Sequence, residues 1–257
     1  MKFFKTLLNF VPRPLLIKAS FLAKPLLNII YSGDRYTDPI NQKSYKKFLP
    51  YGYDFQRPNV LAPGTLSLER HRLLWLYLKQ ETDFFTSKLK VLHVAPEQCF
   101  YKKFKKQSNL EYTTTDLFSP LADVKADICD LPFEDATYDV IFCNHVLEHI
   151  VDDAKAISEL YRVLKPGGWG VFQVPQNVKM VETYEDFSIT DPKLRQQHFG
   201  QYDHVRIYGL DYFKRLEKAG FSVKKIAVKD YFSEPQIHKY ALMKSEILPV
   251  VFKNSIS

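Results

Sequence analysis

Residues 138–174 constrain the architecture most. Tyr138-Asp-Val-Ile-Phe-Cys143 is a short apolar run with a β-branched centre, bounded before it by the acidic pair Glu134-Asp135. Such a run suits a strand buried on both faces of a parallel sheet. After it, Asp152 or Asp153 stands where a helix would be capped, and Ile157, Leu160, Tyr161 and Leu164 recur at helical spacing. Lys165-Pro166-Gly167-Gly168 closes that helix with a cation and chain breakers, and Trp169 to Val174 restarts as a strand. Strand, helix, tight glycine turn and strand is the rhythm of parallel neighbours joined by a crossover helix, so an α/β fold is expected.

Further segments extend the pattern. Leu89 to Ala95 reads as the first strand and Leu110-Glu-Tyr-Thr-Thr-Thr115 as the second, ending at Asp116. Leu210 to Gly220 reads as a closing helix, Phe221 to Val228 as the sixth strand, and Tyr240 to Met243 as a seventh, antiparallel one. A chain of 257 residues, 46% of them hydrophobic, can bury one large core with an appendage. The expected division is a basic amphipathic segment over 1–35, a small irregular module and linker helix over 36–87, the main α/β domain over 88–246, and a tail over 247–257. The three cysteines, Cys99, Cys129 and Cys143, have no paired spacing, so neither a disulfide framework nor a zinc site is implied and a reducing, cytoplasmic setting is expected.

The net charge of +7 would suit an anionic partner but is common on ordinary proteins. It concentrates early: residues 1–33 carry Lys2, Lys5, Arg13, Lys18 and Lys24 and no acid, interleaved with apolar residues such as Phe3, Leu7, Leu15, Leu22 and Ile30. Prolines and cations interrupt this stretch too often for a spanning helix, which needs ~20 mostly apolar residues. Two readings stay open: short amphipathic helices lying peripherally on an anionic bilayer, or a lid packed on the chain's own core or a partner.

The sheet's carboxyl edge holds the candidate chemistry, because ligands of open α/β sheets bind there. Asp116, at the tip of the second strand, is placed to accept from both hydroxyls of a ribose, and otherwise to cap the turn Leu117-Phe-Ser-Pro120. Asn144 and His145 follow the fourth strand, and His145 is a candidate general base or acceptor-orienting group, or a hydrogen-bonded histidine at a helix start.

The stretch Ala126 to Ile150, followed by Glu159-Leu-Tyr-Arg-Val-Leu-Lys-Pro-Gly-Gly168, resembles the second half of the nucleotide-binding core of class I methyltransferases that use S-adenosylmethionine, in particular the methyltransferase type 11-like domain. The resemblance covers roughly residues 88 to 245. It implies a Rossmann-like, seven-stranded, mostly parallel sheet with helices on both faces, and S-adenosylmethionine as cofactor. It places Asp127 and Ile128 at the adenine, Asp116 and Leu117 at the ribose, and Asn144 near the methyl group. In the first half the family carries a glycine-rich turn after the first strand; here the matching places are Ala95, Glu97 and Cys99, and His93 stands where an acid is usual. Glu97 is then expected either to face the cofactor's cationic amino group or to cap the next helix, Phe100 to Lys106.

The long connection from Pro175 to Tyr208 is expected to cover the acceptor pocket. His198, Tyr202 and Arg206 are its candidate substrate-binding residues, and His204 a second catalytic candidate, with His204 and Arg206 matching the His-x-Arg region that precedes the last helix in this family. Glu148-His149 resembles a pair in some lipid-quinone methyltransferases, but adjacent residues of a helix diverge, and no metal is expected.

Asp38-Pro-Ile-Asn41 and Ala62-Pro-Gly-Thr65 occupy places where relatives carry the Cys-Pro-x-Cys knuckles of a zinc ribbon, so a metal-free module held by Tyr45, Phe48, Tyr51, Tyr53 and Phe55 is expected. His71 with Arg70 and Arg72 is expected on a solvated helix face. Nucleic acid is an unlikely partner, since no Asn-Pro-Pro-Tyr-like tetrapeptide follows the fourth strand. A methyltransferase acting on a small or lipid-like acceptor is expected, with a catalytically inactive scaffold of the same fold as the alternative.

Overall fold

The computed structural model describes residues 24–52 and 56–255. Most of the basic amino-terminal segment, and the side chains of Tyr53 and Phe55, lie outside the described residues. Contacts divide the chain into two compact units, one of residues 1–82 with 228–246 and one of residues 83–227 with 247–257.

The second unit is built on a six-stranded sheet. Its strands are β5 (Leu89–Val94), β6 (Leu110–Thr115), β7 (Tyr138–Cys143), β8 (Leu164–Val171), β11 (Ser222–Ala227) and β12 (Ile247–Phe252), in the order β11-β12-β8-β7-β5-β6. The four strands from β8 to β6 run parallel, while β12 lies antiparallel between β8 and β11. Outside that sheet, β9 (Tyr184–Glu185) pairs antiparallel with β10 (Arg206–Ile207), and the helices of this unit are α2 (Gln98–Phe104), α3 (Asp153–Val163), α4 (Pro192–Phe199) and α5 (Tyr212–Lys218). The apolar run of β7 is fully buried from Val140 to Cys143, and Ile157, Leu160 and Leu164 meet it in one core with Phe172 and Leu216. At ~25 cal/mol per Å² such burial is the main stabilising term of the sheet.

The mostly parallel Rossmann-like sheet is therefore present, with two corrections. The expected seventh strand is not Tyr240–Met243. The residues assigned to the tail, Ile247-Leu-Pro-Val-Val-Phe252, form β12 at the heart of the antiparallel half. At the other edge β6 has, among the described residues, no strand neighbour beyond it, only a single parallel bridge from Thr115 to Val124, so the sheet described has six strands.

The expected cap holds: Asp152 accepts from the Lys155 amide at 2.9 Å. Lys165-Pro-Gly-Gly168 is not a linker between helix and strand but an outward bulge in β8. Tyr138 pairs with Leu164 and Val140 already pairs with Trp169, and Gly167 takes φ +80° in between.

The first unit holds two hairpins, β1 (Ser32–Asp38) with β2 (Lys43–Tyr45) and β3 (Leu49–Tyr51) with β4 (Arg57–Leu61). It also holds helices α1 (Glu69–Glu81), α6 (Val228–Tyr231) and α7 (Glu234–Lys239). Tyr36, Tyr45, Phe48 and Ala62 form its aromatic core, whereas Tyr51 is exposed. The two knuckle-like segments are joined by a hydrogen bond from the Thr65 hydroxyl to the Asp38 carboxylate, between their first and last residues. Asn41 Nδ2 donates to the Tyr45 hydroxyl at 2.8 Å.

His71 and Arg72 are buried rather than solvated. The Leu68 amide donates to His71 Nδ1 at 3.0 Å, which closes the start of α1. Arg72 donates to the carbonyls of Val60, Ser67, Tyr240 and Ala241 at 2.7–2.9 Å. Tyr240 to Met243 thus serves as an acceptor turn for a buried guanidinium, which explains why it is not a strand. Residues 24–30 are helical, with Leu26, Ile29 and Ile30 exposed.

Candidate cofactor and acceptor site

β5 neighbours β6 on one side and β7 on the other, so successive connections leave it in opposite directions. This is the topological switch point, outside whose carboxyl ends open α/β sheets bind ligands. Val94 pairs with both Thr115 and Cys143. The three turns that follow these residues carry Ala95 to Glu97, Asp116 to Ser119, and Asn144 to His145, and converge at this point.

The turn after β5 reaches its shape without glycine. Ala95 takes φ +50°, in the left-handed region that favours glycine, and its amide donates to the Thr115 carbonyl at 2.8 Å. Glu97 stands at the N-cap position of α2 but makes no capping bond with its side chain. Its carboxylate lies against Nε2 of the fully buried His93 and accepts from Asn144 Nδ2 at 3.2 Å. The other His93 nitrogen meets the Tyr112 hydroxyl at 2.8 Å. Glu97 therefore ties the ends of β5 and β7 together, and its capping alternative is excluded. Burial, reinforced by the Glu97 charge, raises the Tyr112 phenol well above its ordinary range, so it stays a hydroxyl.

Asp116 fills the second of its two expected roles, holding the turn that follows it. Oδ1 accepts from the amides of Phe118 and Ser119 at 2.7 and 2.6 Å, holding the turn, while Oδ2 makes no hydrogen bond among the described residues. Leu117 is exposed beside it. Asp127 is exposed and accepts from the Cys129 amide at 2.9 Å, with Ile128 buried next to it.

On the β7 side, Asn144 is buried and its Oδ1 accepts from the Gln173 amide at 3.2 Å. His145 takes φ +55°, its amide donating to the Gln173 carbonyl at 2.7 Å. Its ring is 23% exposed, with Nδ1 3.3 Å from Oε1 of Glu148, which is 1% exposed. Burial opposes the Glu148 charge, but the His145 hydrogen bond and the neighbouring histidines outweigh it and hold this carboxyl below the usual range.

The connection after β8 divides the remaining candidates. His204 is buried, its Nδ1 3.2 Å from the Phe199 carbonyl, and burial pushes its pKa down, favouring the neutral ring. His198 accompanies Tyr184 at 2.8 Å on the exposed side, and Tyr202 is exposed. Arg206 is buried and committed to the protein. It donates to Glu185 at 2.8 Å and to the carbonyls of Leu147, Ile150 and Val151, and lies 3.3 Å from Asp153. It anchors the loop after β7 rather than contacting substrate.

Three features escaped the sequence reading. Leu147–His149 is a single 3-10 turn, not part of an α-helix. Glu148 and His149 lie together with His204, a cluster the adjacent Glu-His pair signalled but helical geometry argued against. Gln173 is buried beside Asn144 with neither amide atom partnered among the described residues, and no local pattern distinguishes it from any strand-end glutamine.

Residues 81–172 match the family described as a methyltransferase domain. That stretch, about a third of the chain, is thus similar to a methyltransferase domain. A ubiquinone/menaquinone biosynthesis C-methyltransferase from Idiomarina loihiensis is 38% identical over 77 residues, 28% of this chain and 31% of that protein. A demethylmenaquinone methyltransferase from Clavibacter sepedonicus is 47% identical over 45 residues, 18% of each chain. The chain thus spans less than a third of the length of these relatives. An S-adenosylmethionine-dependent methyltransferase from Mesorhizobium loti superposes with a TM-score of 0.50 at 14% identity, over 69% of this chain and 95% of that one, which shows the shared fold.

Proposed function

We propose that this chain transfers a methyl group from S-adenosylmethionine to a small or lipid-like acceptor. The observation that carries the reading is the convergence at the switch point of Asp116, with one carboxylate oxygen open, the left-handed turn at Ala95, and Asn144-His145. The residues present fit the cofactor: an unpartnered Asp116 oxygen suits a ribose diol, exposed Asp127 beside buried Ile128 suits an adenine edge, and the Glu97 carboxylate suits a cationic amino group.

The bound cofactor supplies an electrophilic methyl group, which leaves the protein mainly alignment and the exclusion of water. His145, steadied by Glu148, orients the acceptor and takes its proton where it carries one. The quinone-pathway names of the relatives support a lipid-like acceptor. Among the described residues no helix is long and apolar enough to cross a membrane. Peripheral contact through residues 1–33 belongs to this proposal, supported by exposed Leu26, Ile29 and Ile30. Co-sedimentation with anionic vesicles tests it: a chain that stays in the supernatant contradicts the contact.

The tether of Glu97 to His93 and Asn144 favours a second reading, a non-catalytic scaffold whose cofactor turn is already filled by its own side chain. Isothermal titration of the purified chain with S-adenosylmethionine and its demethylated product separates the two. Micromolar binding that falls at least roughly tenfold in Asp116→Ala, a loss of about 1.4 kcal/mol, supports the enzyme. Folded protein that binds neither compound at millimolar concentration supports the scaffold.

A further inference from the structure

We propose that Glu148, His149 and His204 form a site for one divalent transition-metal cation of the zinc class. One ligand atom from each lies within 4.8 Å of the other two. Glu148 is almost wholly buried, with Oε1 facing His145 and Oε2 without a hydrogen-bond partner among the described residues. A carboxylate oxygen withdrawn from water with nothing to accept from is a recognised mark of an ion's place.

The two imidazoles are set in the manner of ligands. His204 Nδ1 is 3.2 Å from the Phe199 carbonyl, and His149 Nδ1 is 3.3 Å from the Asp203 carbonyl and 3.4 Å from its carboxylate. With Nδ1 donating to an oxygen, the lone pair is left on Nε2, the outer-shell arrangement that fixes a metal-binding tautomer. The rings lie 4.7 Å apart between centroids at 85°, adjacent without stacking. The Val205 amide donates to the Glu148 carbonyl at 2.9 Å, which ties the loop bearing His204 to the 3-10 turn bearing the other two.

The donor set decides the metal. Two imidazole nitrogens and one carboxylate suit Zn2+ and its first-row neighbours and leave a coordination position open, whereas Mg2+ and Ca2+ prefer oxygen throughout. The site shares Glu148 with the methyltransferase reading, whose His145 it steadies, but uses none of the cofactor-cradle residues Asp116, Asp127 and Ala95.

Zn2+ titration of the full chain by calorimetry, with Mg2+ in parallel and Co2+ absorption as a reporter, tests it. The expected result is one Zn2+ per chain, much weaker Mg2+ binding, and cobalt d–d bands without thiolate charge transfer. Affinity should fall roughly 10–100-fold in His149→Asn and in His204→Asn, with cooperative unfolding retained in the half-buried His149 variant. Zn2+ binding that is absent, or equal in His149→Asn and the parent, or accompanied by thiolate charge transfer from Cys99, Cys129 or Cys143, overturns the proposal. S-adenosylmethionine affinity is read separately, so either result can fail alone.

Discussion

Glu97 concentrates the chemistry of the first turn on one side chain. Its carboxylate joins His93, buried on β5, to Asn144 at the end of β7, and stands where relatives of this fold place glycine. Removing it leaves a buried imidazole nitrogen and a buried amide short of an acceptor, at a cost of about 1–3 kcal/mol. Glu97→Ala should therefore lower the midpoint of thermal unfolding and weaken S-adenosylmethionine at least roughly tenfold; a variant as stable as the parent, measured calorimetrically, would show that the tether carries no energy. His145 makes a different prediction. In the proposed reading it orients the acceptor rather than holding the cofactor, so His145→Ala should leave cofactor affinity within about twofold while methyl transfer falls by ~10²-fold or more, the scale of a positioned acid-base group. Equal loss of binding and turnover would place it in the cradle instead.

At the level of elements, the loop after β7 owes its shape to one guanidinium. Arg206 gathers the carbonyls of Leu147, Ile150 and Val151 and pairs with Glu185 and Asp153, while the Tyr208 hydroxyl donates to Asp153 at 2.7 Å. Arg206→Met leaves the carbonyls of Leu147, Ile150 and Val151 without this donor, while Asp153 and Glu185 keep Arg215, so a loss of about 2–3 kcal/mol in urea-denaturation stability is expected. A loss under about 1 kcal/mol would mean that water replaces the network.

The strands were legible where local pattern and tertiary position agree: β5, β6 and β7 are apolar or β-branched runs, and Asp152 caps α3 as its side chain dictates. β12 was not legible, because Pro249 argues locally against an inner strand, yet Ile247–Phe252 pairs on both sides. Its neighbour Tyr240–Met243 satisfies the short-strand pattern but is consumed in accepting from Arg72. The turn-holding role of Asp116 was readable, since it follows from a carboxylate after a strand. The site was unreadable at Arg206, where only the fold reveals that all three guanidinium nitrogens are already engaged.

Over the whole molecule, the chain's third and last crossing between units leaves a carboxyl in a costly place. In the unit of residues 1–82 and 228–246, burial pushes Glu246 up to about 7 from an ordinary 4.5, with Arg70 and Arg57 only partly offsetting it. A raised carboxyl pKa means that the folded chain holds a proton the unfolded chain releases between these values. Stability therefore falls as pH rises from about 4.5 to about 7 and stays reduced above. Glu246→Gln should flatten that slope and stabilise this unit at pH 8 by on the order of 1–3 kcal/mol, seen in urea denaturation at several pH values. An unchanged slope would show that the carboxyl is solvated.

The central claim for the molecule is that the carboxyl edge of the β6-β5-β7 triplet holds S-adenosylmethionine despite a turn without glycine. A crystal structure of the chain with the demethylated cofactor addresses it directly. The predicted result is a ribose on Asp116, an adenine beside Asp127 and Ile128, and the amino acid moiety at Ala95 to Glu97. Crystals grown at saturating ligand that show this edge empty and Glu97 still bound to His93 and Asn144 would contradict it.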